Sequence, residues 1–100
     1  MSRTIGLAVA GYGLVGRRHI RAIEQYPGAE TIAIIEPDPD RRQAAEDEGH
    51  RCFDTLEAFF ASTGADGVIL ATPNALHVEQ AIACVDQKCP VLIEKPIATR

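Results

Sequence analysis

The chain has 100 residues, of which 46% are hydrophobic and 24% are charged, and these values are typical of one globular domain with a core of its own. Its net charge of −4 argues against nucleic acid and anionic membranes as partners. Glycines interrupt the first apolar stretch, which therefore fits neither a transmembrane helix nor a signal peptide, and we expect a cytoplasmic protein. Because the cysteines lack metal-ligand spacing, we expect reduced thiols packed as small hydrophobes, and no metal site, at Cys52, Cys84 and Cys89.

The chain begins with a predicted strand, residues 4–10, which leads into a Gly-x-Gly-x-x-Gly turn and a helix from about residue 14 to residue 26. Gly11 would permit the tight turn, Gly13 would let a pyrophosphate approach the backbone, and Gly16 would let the helix pack closely on the sheet. No lysine follows Gly16, which excludes a P-loop. The free N–H groups at the start of such a helix favour phosphates, so we predict a pyrophosphate site at this turn.

A second predicted strand, residues 31–36, ends in the acid Glu36, twenty residues after Gly16. An acid at this offset can accept both hydroxyls of an adenosine ribose, whereas a 2′-phosphate would meet like charge. Strand, turn, helix and acid together predict a dinucleotide-binding βαβ unit that prefers NAD; the alternative is a plain strand-turn-helix corner. Arg41 and Arg42 follow in the next helix, and since either could meet a phosphate, NADP stays possible and Arg41 is included among the candidate cofactor contacts.

The middle of the chain continues to alternate short apolar runs with helical stretches. Asp38 is placed to cap the second helix, with Pro39 in its first turn. A short strand over residues 51–53 follows, and residues 54–57 have the spacing of a capping box that starts a third helix.

The last part of the chain contains two more predicted strands, residues 67–71 and 91–93, with one helix between them. Asn74 can cap that helix. The alternation of strands and helices predicts an α/β fold, a Rossmann-type doubly wound parallel sheet with strand order 3-2-1-4-5, in which ligands bind at the carboxyl ends of the strands. The buried stripe of the helix is predicted at spacings i, i+3, i+4 and i+7, as Val78, Ala81, Ile82 and Val85.

Polar residues follow the fourth predicted strand at the same edge of the sheet. Thr72, Pro73 and Asn74 form the turn, and His77 comes near the start of the next helix. A neutral His77 could hydrogen-bond a carboxylate or a ribose, and a purely structural histidine is the equally supported alternative.

A charged pair, Glu94 and Lys95, directly follows the fifth predicted strand. Pro96 restricts Lys95 to an extended conformation. A lysine held near a nicotinamide could polarise or deprotonate a substrate hydroxyl during hydride transfer, so Lys95 is the catalytic candidate. A surface ion pair at the end of a strand is the alternative.

These motifs, in this order, resemble the glucose–fructose oxidoreductase / inositol dehydrogenase (Gfo/Idh/MocA) family over essentially the whole chain. The resemblance implies an NAD(P)-dependent oxidoreductase that acts on a sugar, an inositol or a related polyol. It implies that Glu36 holds the adenosine ribose and that Glu94 and Lys95 lie by the nicotinamide, although the family often has Asp where this chain has Glu36. It further implies that the pyrophosphate and the cofactor cleft involve Gly11, Tyr12, Gly13, Leu14, Val15, Gly16, Thr72, Pro73, Asn74 and His77.

Family members are several times longer than this chain and carry an α/β substrate domain after the first domain. We therefore expect residues 1–100 to be the N-terminal part of such an enzyme, ending before the usual last strand of its nucleotide domain. The polyol or sugar substrate would then bind through the missing domain, the chain alone would be inactive, and the whole enzyme would be a homo-oligomer.

Two other functions use similar motifs. A non-catalytic dinucleotide-binding or redox-sensing module explains the glycine turn and Glu36 equally well, but it gives Glu94 and Lys95 no role. A methyl-transfer domain that binds S-adenosylmethionine also has a glycine loop and an acid, and the full Gly-x-Gly-x-x-Gly spacing argues against it.

Overall fold

The computed structural model describes residues 4–72 and 74–93, with the backbone alone for residues 74–78. Within these ranges the chain alternates strands and helices, and the predicted boundaries agree with the observed ones to within two residues. The elements in chain order are β1 (Ile5–Ala10), α1 (Leu14–Glu24), β2 (Ala29–Ile35), α2 (Pro39–Asp47), β3 (Cys52–Phe53), α3 (Leu56–Ser62), β4 (Gly67–Leu70), α4 (Asn74–Asp86) and β5 (Val91–Ile93).

All strand pairs of the sheet are parallel, and the strand order is β3-β2-β1-β4-β5, as predicted. The central strand β1 pairs with β2 on one side and with β4 on the other. The direction of winding therefore reverses at β1, which is the position where doubly wound sheets leave a crevice at the carboxyl ends of their strands.

The hydrophobic core lies on both faces of the sheet, because successive residues of a strand point to opposite faces. One cluster includes Ile20 of α1 and Ala45 of α2, and the other includes Phe59 of α3 and Cys84 of α4. The central strands are thus covered on both sides, which explains their nearly continuous apolar sequences. None of the helices within the described ranges is long and apolar enough to cross a membrane.

The helix caps follow local sequence, with one difference from the prediction. Asp38 caps α2, as predicted, by accepting a hydrogen bond from the Arg41 N–H at 2.9 Å. The prediction of a capping box starting at Asp54 is wrong, because Thr55 is the extended residue before α3 and its hydroxyl accepts from the Ala58 N–H at 3.1 Å. The cap therefore lies one residue later than the spacing indicated.

The predicted buried stripe of α4 is wrong at two positions. Ile82 and Val85 are 55% and 64% exposed, whereas Cys84 is fully buried. The observed stripe uses Cys84 together with the half-buried Ala81, since small side chains let the helix lie close to the sheet. The side chain of Val78 lies outside the described residues.

The three cysteines are free thiols, as expected. Cys84 and Cys89 are buried, and Cys52 is half-buried. Burial raises the pKa of Cys52 and of Cys84 to about 11, and it also raises the pKa of Cys89. The thiols are therefore protonated near neutral pH and pack as small hydrophobic side chains.

Candidate dinucleotide-binding site

A cleft of about 350 Å³ opens at the carboxyl edge of the sheet, where β1 lies between β2 and β4. Its walls come from the glycine turn with the start of α1, from the segment after β2, and from the segment after β4. Sequence analysis proposed all of its lining residues as cofactor contacts except Pro37 and Ala71. The lining residues are Gly11, Gly13, Leu14, Val15, Glu36, Pro37, Arg41, Ala71 and Thr72.

Two glycines of the turn are required by the chain itself. Gly11 has φ of +107°, and a Cβ atom there would stand 2.8 Å from the carbonyl oxygen of Ala71. A Cβ atom at Gly16 would stand 1.8 Å from the carbonyl oxygen of Gly11. Larger residues at either position would push the turn away from the sheet, so these two glycines set the geometry of the turn.

Gly13 has no such requirement. Its backbone is extended, with φ of −93° and ψ of −160°, which any residue can adopt. Within the described part of the chain, a Cβ atom at Gly13 would meet only Arg41 Nη1, at an ordinary contact distance of 3.6 Å. The lack of a side chain at Gly13 therefore relieves no clash with the described protein. It leaves open space in the cleft, which the close approach of a ligand would require.

The start of α1 offers backbone donors to the cleft. Gly13 is its N-cap, and among the described residues no side chain caps this terminus. The termini of α2 and α3, by contrast, are capped by Asp38 and Thr55. Leu14 and Val15, the first residues of α1, line the cleft, so the unpaired N–H groups and the positive end of the helix dipole favour an anion there.

Glu36 lies at the end of β2 and is only 4% exposed. Its Oε1 accepts a hydrogen bond from the Tyr12 N–H at 2.7 Å, and its Oε2 accepts one from the Asp38 N–H at 3.0 Å. The carboxylate thus joins the glycine turn to the start of α2. Because each carboxylate oxygen can accept more than one hydrogen bond, Glu36 keeps acceptor capacity for hydroxyl groups in the cleft.

The structure separates the two arginines that follow β2. The Arg42 guanidinium binds the backbone: its Nη1 donates to the carbonyl oxygens of Glu36 at 2.9 Å and of Pro37 at 3.2 Å. Arg41 is exposed and its guanidinium reaches over the glycine turn near Gly13. Of the two, Arg41 is therefore the one placed to meet a phosphate.

The side chain of Tyr12 leaves the cleft and is buried on the other side of the turn, with 3% of its surface exposed. Its hydroxyl donates a hydrogen bond to a carboxylate oxygen of Glu48, and the Arg17 guanidinium lies 4.8 Å from the ring centroid. Burial, followed by the hydrogen bond to Glu48, raises the pKa of Tyr12 to about 12. In the cleft, Tyr12 could therefore meet a ligand only through its backbone.

The remaining predicted contacts belong to the segments after β4 and β5. The Thr72 hydroxyl donates a hydrogen bond to Gln80 Oε1 at 2.5 Å, and Thr72 lines the cleft. Asn74 and His77 belong to α4, and their side chains lie outside the described residues. Pro73, Glu94 and Lys95 also lie outside the described residues.

A second cavity, of about 180 Å³, lies beyond Pro37. Pro37 lines both spaces, and Ile35 and Leu56 give the second cavity apolar walls. The first residues of α3 and the middle of α4 close it on the far side. A ligand that binds Glu36 in the cleft could place an attached flat apolar group in this second cavity.

Sequence reasoning missed Pro37 and Ala71 because neither carries a reactive group. Each contributes a wall of the cleft by its position just beyond a strand: Pro37 is the second residue after β2, and Ala71 is the first residue after β4. A rule that includes the first two residues beyond each central parallel strand would have found both.

Residues 5–100 match the model of the Gfo/Idh/MocA family, described as an oxidoreductase family with an NAD-binding Rossmann fold. Inositol 2-dehydrogenase 1 from Mycolicibacterium vanbaalenii is 37% identical over an alignment of 99 positions that covers 95% of this chain and 29% of the relative. Inositol 2-dehydrogenase from Corynebacterium glutamicum is 34% identical over 97% of this chain and 30% of its own length.

Solved structures show the same similarity. The WlbA dehydrogenase from Bordetella pertussis, crystallised with NADH and UDP-GlcNAcA, superimposes with a TM-score of 0.89 at 40% identity. That comparison covers 98% of this chain and 31% of the dehydrogenase. The chain thus spans about 30% of the length of the relatives that it matches.

Proposed function

The chain belongs to the Gfo/Idh/MocA oxidoreductase family, and we propose that it forms the nucleotide-binding part of an NAD-dependent dehydrogenase. The observation that carries the proposal is Gly13, whose missing side chain serves no contact within the described chain but opens space beside the uncapped start of α1. A pyrophosphate needs both that space and those N–H donors.

The described residues support a binding mode for the pyrophosphate and for the adenosine part of the dinucleotide. The N–H groups of Leu14 and Val15 would meet the pyrophosphate, with Arg41 beside it. Glu36 would accept the hydroxyls of the adenosine ribose, and a 2′-phosphate there would meet a buried carboxylate. The adenine would continue past Pro37 into the second cavity. This arrangement favours NAD over NADP.

The nicotinamide ring, when bound, supplies the acceptor for a hydride. We place Glu94 and Lys95 beside it, with Lys95 as the catalytic residue that polarises or deprotonates the reacting hydroxyl. Thr72, Pro73, Asn74 and His77 complete the proposed cofactor cleft. In the active enzyme, Lys95→Ala should lower kcat by roughly 10²- to 10⁴-fold while leaving NAD affinity nearly unchanged.

For the substrate we propose a sugar, an inositol or a related polyol, whose reacting hydroxyl meets Lys95, in a cytoplasmic homo-oligomer. The inositol dehydrogenases among the relatives favour a free polyol. A second candidate is a nucleotide-linked sugar acid, because the WlbA dehydrogenase that is 40% identical was crystallised with UDP-GlcNAcA. NADH formation by the active enzyme with myo-inositol or with UDP-GlcNAcA would distinguish the two.

Calorimetric titration with NADH and NADPH tests the proposed function. We expect saturable binding of NADH, one molecule per chain, and weaker binding of NADPH. Absence of NADH binding would contradict the proposal, and tighter binding of NADPH would contradict the role given to Glu36. A redox-sensing module would bind NADH too, but Lys95→Ala would leave its function unchanged.

A further inference from the structure

Tyr12 occupies an unusual place, since its side chain and its backbone serve different parts of the molecule. The ring is buried on the side of the turn away from the cleft, among α1 and the end of α2. Three groups hold it: the Glu48 carboxylate accepts its hydroxyl hydrogen, the Arg17 guanidinium covers its face, and the His50 ring meets its edge at 5.9 Å between centroids. The ring is therefore fixed on three sides.

The backbone of the same residue faces the other way. Its N–H donates to Glu36 Oε1 at 2.7 Å, and Glu36 lines the cleft. A rigid ring fixes the position of its own Cα, and through it the position of the N–H that holds the carboxylate. The end of α2, the ring of Tyr12 and the carboxylate of Glu36 thus form one continuous chain of contacts.

We infer that Tyr12 is a positioning residue of the dinucleotide site: its side chain anchors the glycine turn to Glu48, and the anchored turn holds Glu36 in place for the adenosine ribose. This inference rests on the proposed function, because it assigns the ribose to Glu36. Tyr12 acts through Glu36 and touches the ligand with no part of its ring.

The location of Glu48 supports a specific role for the hydrogen bond. Glu48 is the C-cap of α2, and no basic residue lies in the last turn of that helix. A carboxylate is unfavourable at this negative end of the helix dipole. The phenol hydroxyl donates a hydrogen bond to it there, which compensates part of this cost. A residue needed only to fill space would require no hydroxyl, and phenylalanine would serve.

The test compares NAD with 2′-deoxy-NAD, which lacks the adenosine 2′-hydroxyl that Glu36 would accept. Removing a hydrogen bond to a carboxylate weakens binding roughly 10- to 150-fold, so the wild-type protein should prefer NAD by a factor in that range. Tyr12→Phe keeps the ring and removes only the hydroxyl. We expect this substitution to lower the preference, measured as the ratio of the dissociation constants of 2′-deoxy-NAD and NAD, by at least about threefold.

Matched controls separate positioning from general stability. Tyr26→Phe changes a tyrosine that is 63% exposed, and Glu30→Gln changes an exposed acid of β2. Both should keep the wild-type preference for NAD. Glu48→Ala removes the acceptor of the Tyr12 hydroxyl, so it should lower the preference for NAD as Tyr12→Phe does. The double variant should show less than the product of the two effects, because both substitutions remove the same contact.

The outcomes are decisive for the inference. If Tyr12→Phe keeps the wild-type ratio of the two affinities, the inference is wrong. This holds whether both affinities fall by the same factor, as a merely structural role would predict, or neither affinity changes. If the wild-type protein binds NAD without preferring it to the deoxy analogue, the inference fails while the proposed function stands; if it binds no NAD, both fail.

Discussion

Gly16 lies so close to Gly11 that a Cβ atom at Gly16 would stand 1.8 Å from the Gly11 carbonyl oxygen. This contact ties the first turn of α1 to the end of β1. It also divides the glycines of the turn into two classes, since Gly11 and Gly16 are required by close backbone contacts, whereas no contact within the described ranges requires Gly13. The two classes predict different consequences of substitution.

Gly16→Ala should destabilise the protein by about 3 kcal/mol or more, because the obstructing atom belongs to the backbone and cannot rotate away. Urea denaturation measures this loss. Gly64→Ala is a suitable control, since the structure places nothing within 4 Å of a Cβ atom at Gly64. An equal effect of the two substitutions would contradict the close packing of α1 on β1.

Glu36→Ala should weaken NAD binding roughly 10-fold or more and relax the preference over NADP. It should also lower the free energy of unfolding by about 1–3 kcal/mol, because the Tyr12 N–H loses its buried acceptor. Glu30→Ala, on the same strand but exposed, is the control for both measurements. Binding of NADPH by the unsubstituted protein more tightly than NADH would refute the role of Glu36.

Substitution of Arg41 should affect NAD affinity, whereas substitution of Arg42 should affect the free energy of unfolding. Arg41→Ala should lower NAD affinity, more strongly at low salt, and leave the free energy of unfolding within about 0.5 kcal/mol. Arg42→Ala removes the hydrogen bonds to the carbonyl oxygens of Glu36 and Pro37 and should cost about 1 kcal/mol of stability. Titrations at two salt concentrations and urea denaturation decide this. The assignment is wrong if Arg41→Ala leaves affinity unchanged.

Tyr12 should make stability depend on alkaline pH. Its folded-state pKa of about 12 lies above the ordinary value of 10, so the unfolded chain loses this proton first. The contribution is complete below pH 10 and is lost as the pH rises from about 10 to about 12. The difference in unfolding free energy between the wild type and Tyr12→Phe should therefore stay constant below pH 9 and shrink above pH 10. A difference that stays constant to pH 11.5 would contradict the shifted pKa.

The sequence was sufficient for the strand order and for the glycine turn because both depend on local pattern and on connection rules. It was not sufficient to predict which face of α4 is buried. A buried face centred on Ile82 and one centred on Cys84 fit the helical spacing equally well, and packing against the sheet decides in favour of Cys84. Nor could the sequence reveal the hydrogen bond from Tyr12 to Glu36, which joins residues far apart in the chain. Contacts of that kind depend on the packed geometry of two elements rather than on the pattern of either.

Binding of NADH to Gly13→Ala tests the central claim most directly. The backbone at Gly13 accepts alanine without strain, so the thermal midpoint should equal or slightly exceed that of the wild type. The new methyl group would occupy the space proposed for the pyrophosphate, and NADH affinity should fall roughly 10-fold or more. A stable Gly13→Ala protein that binds NADH as tightly as the wild type would contradict the account.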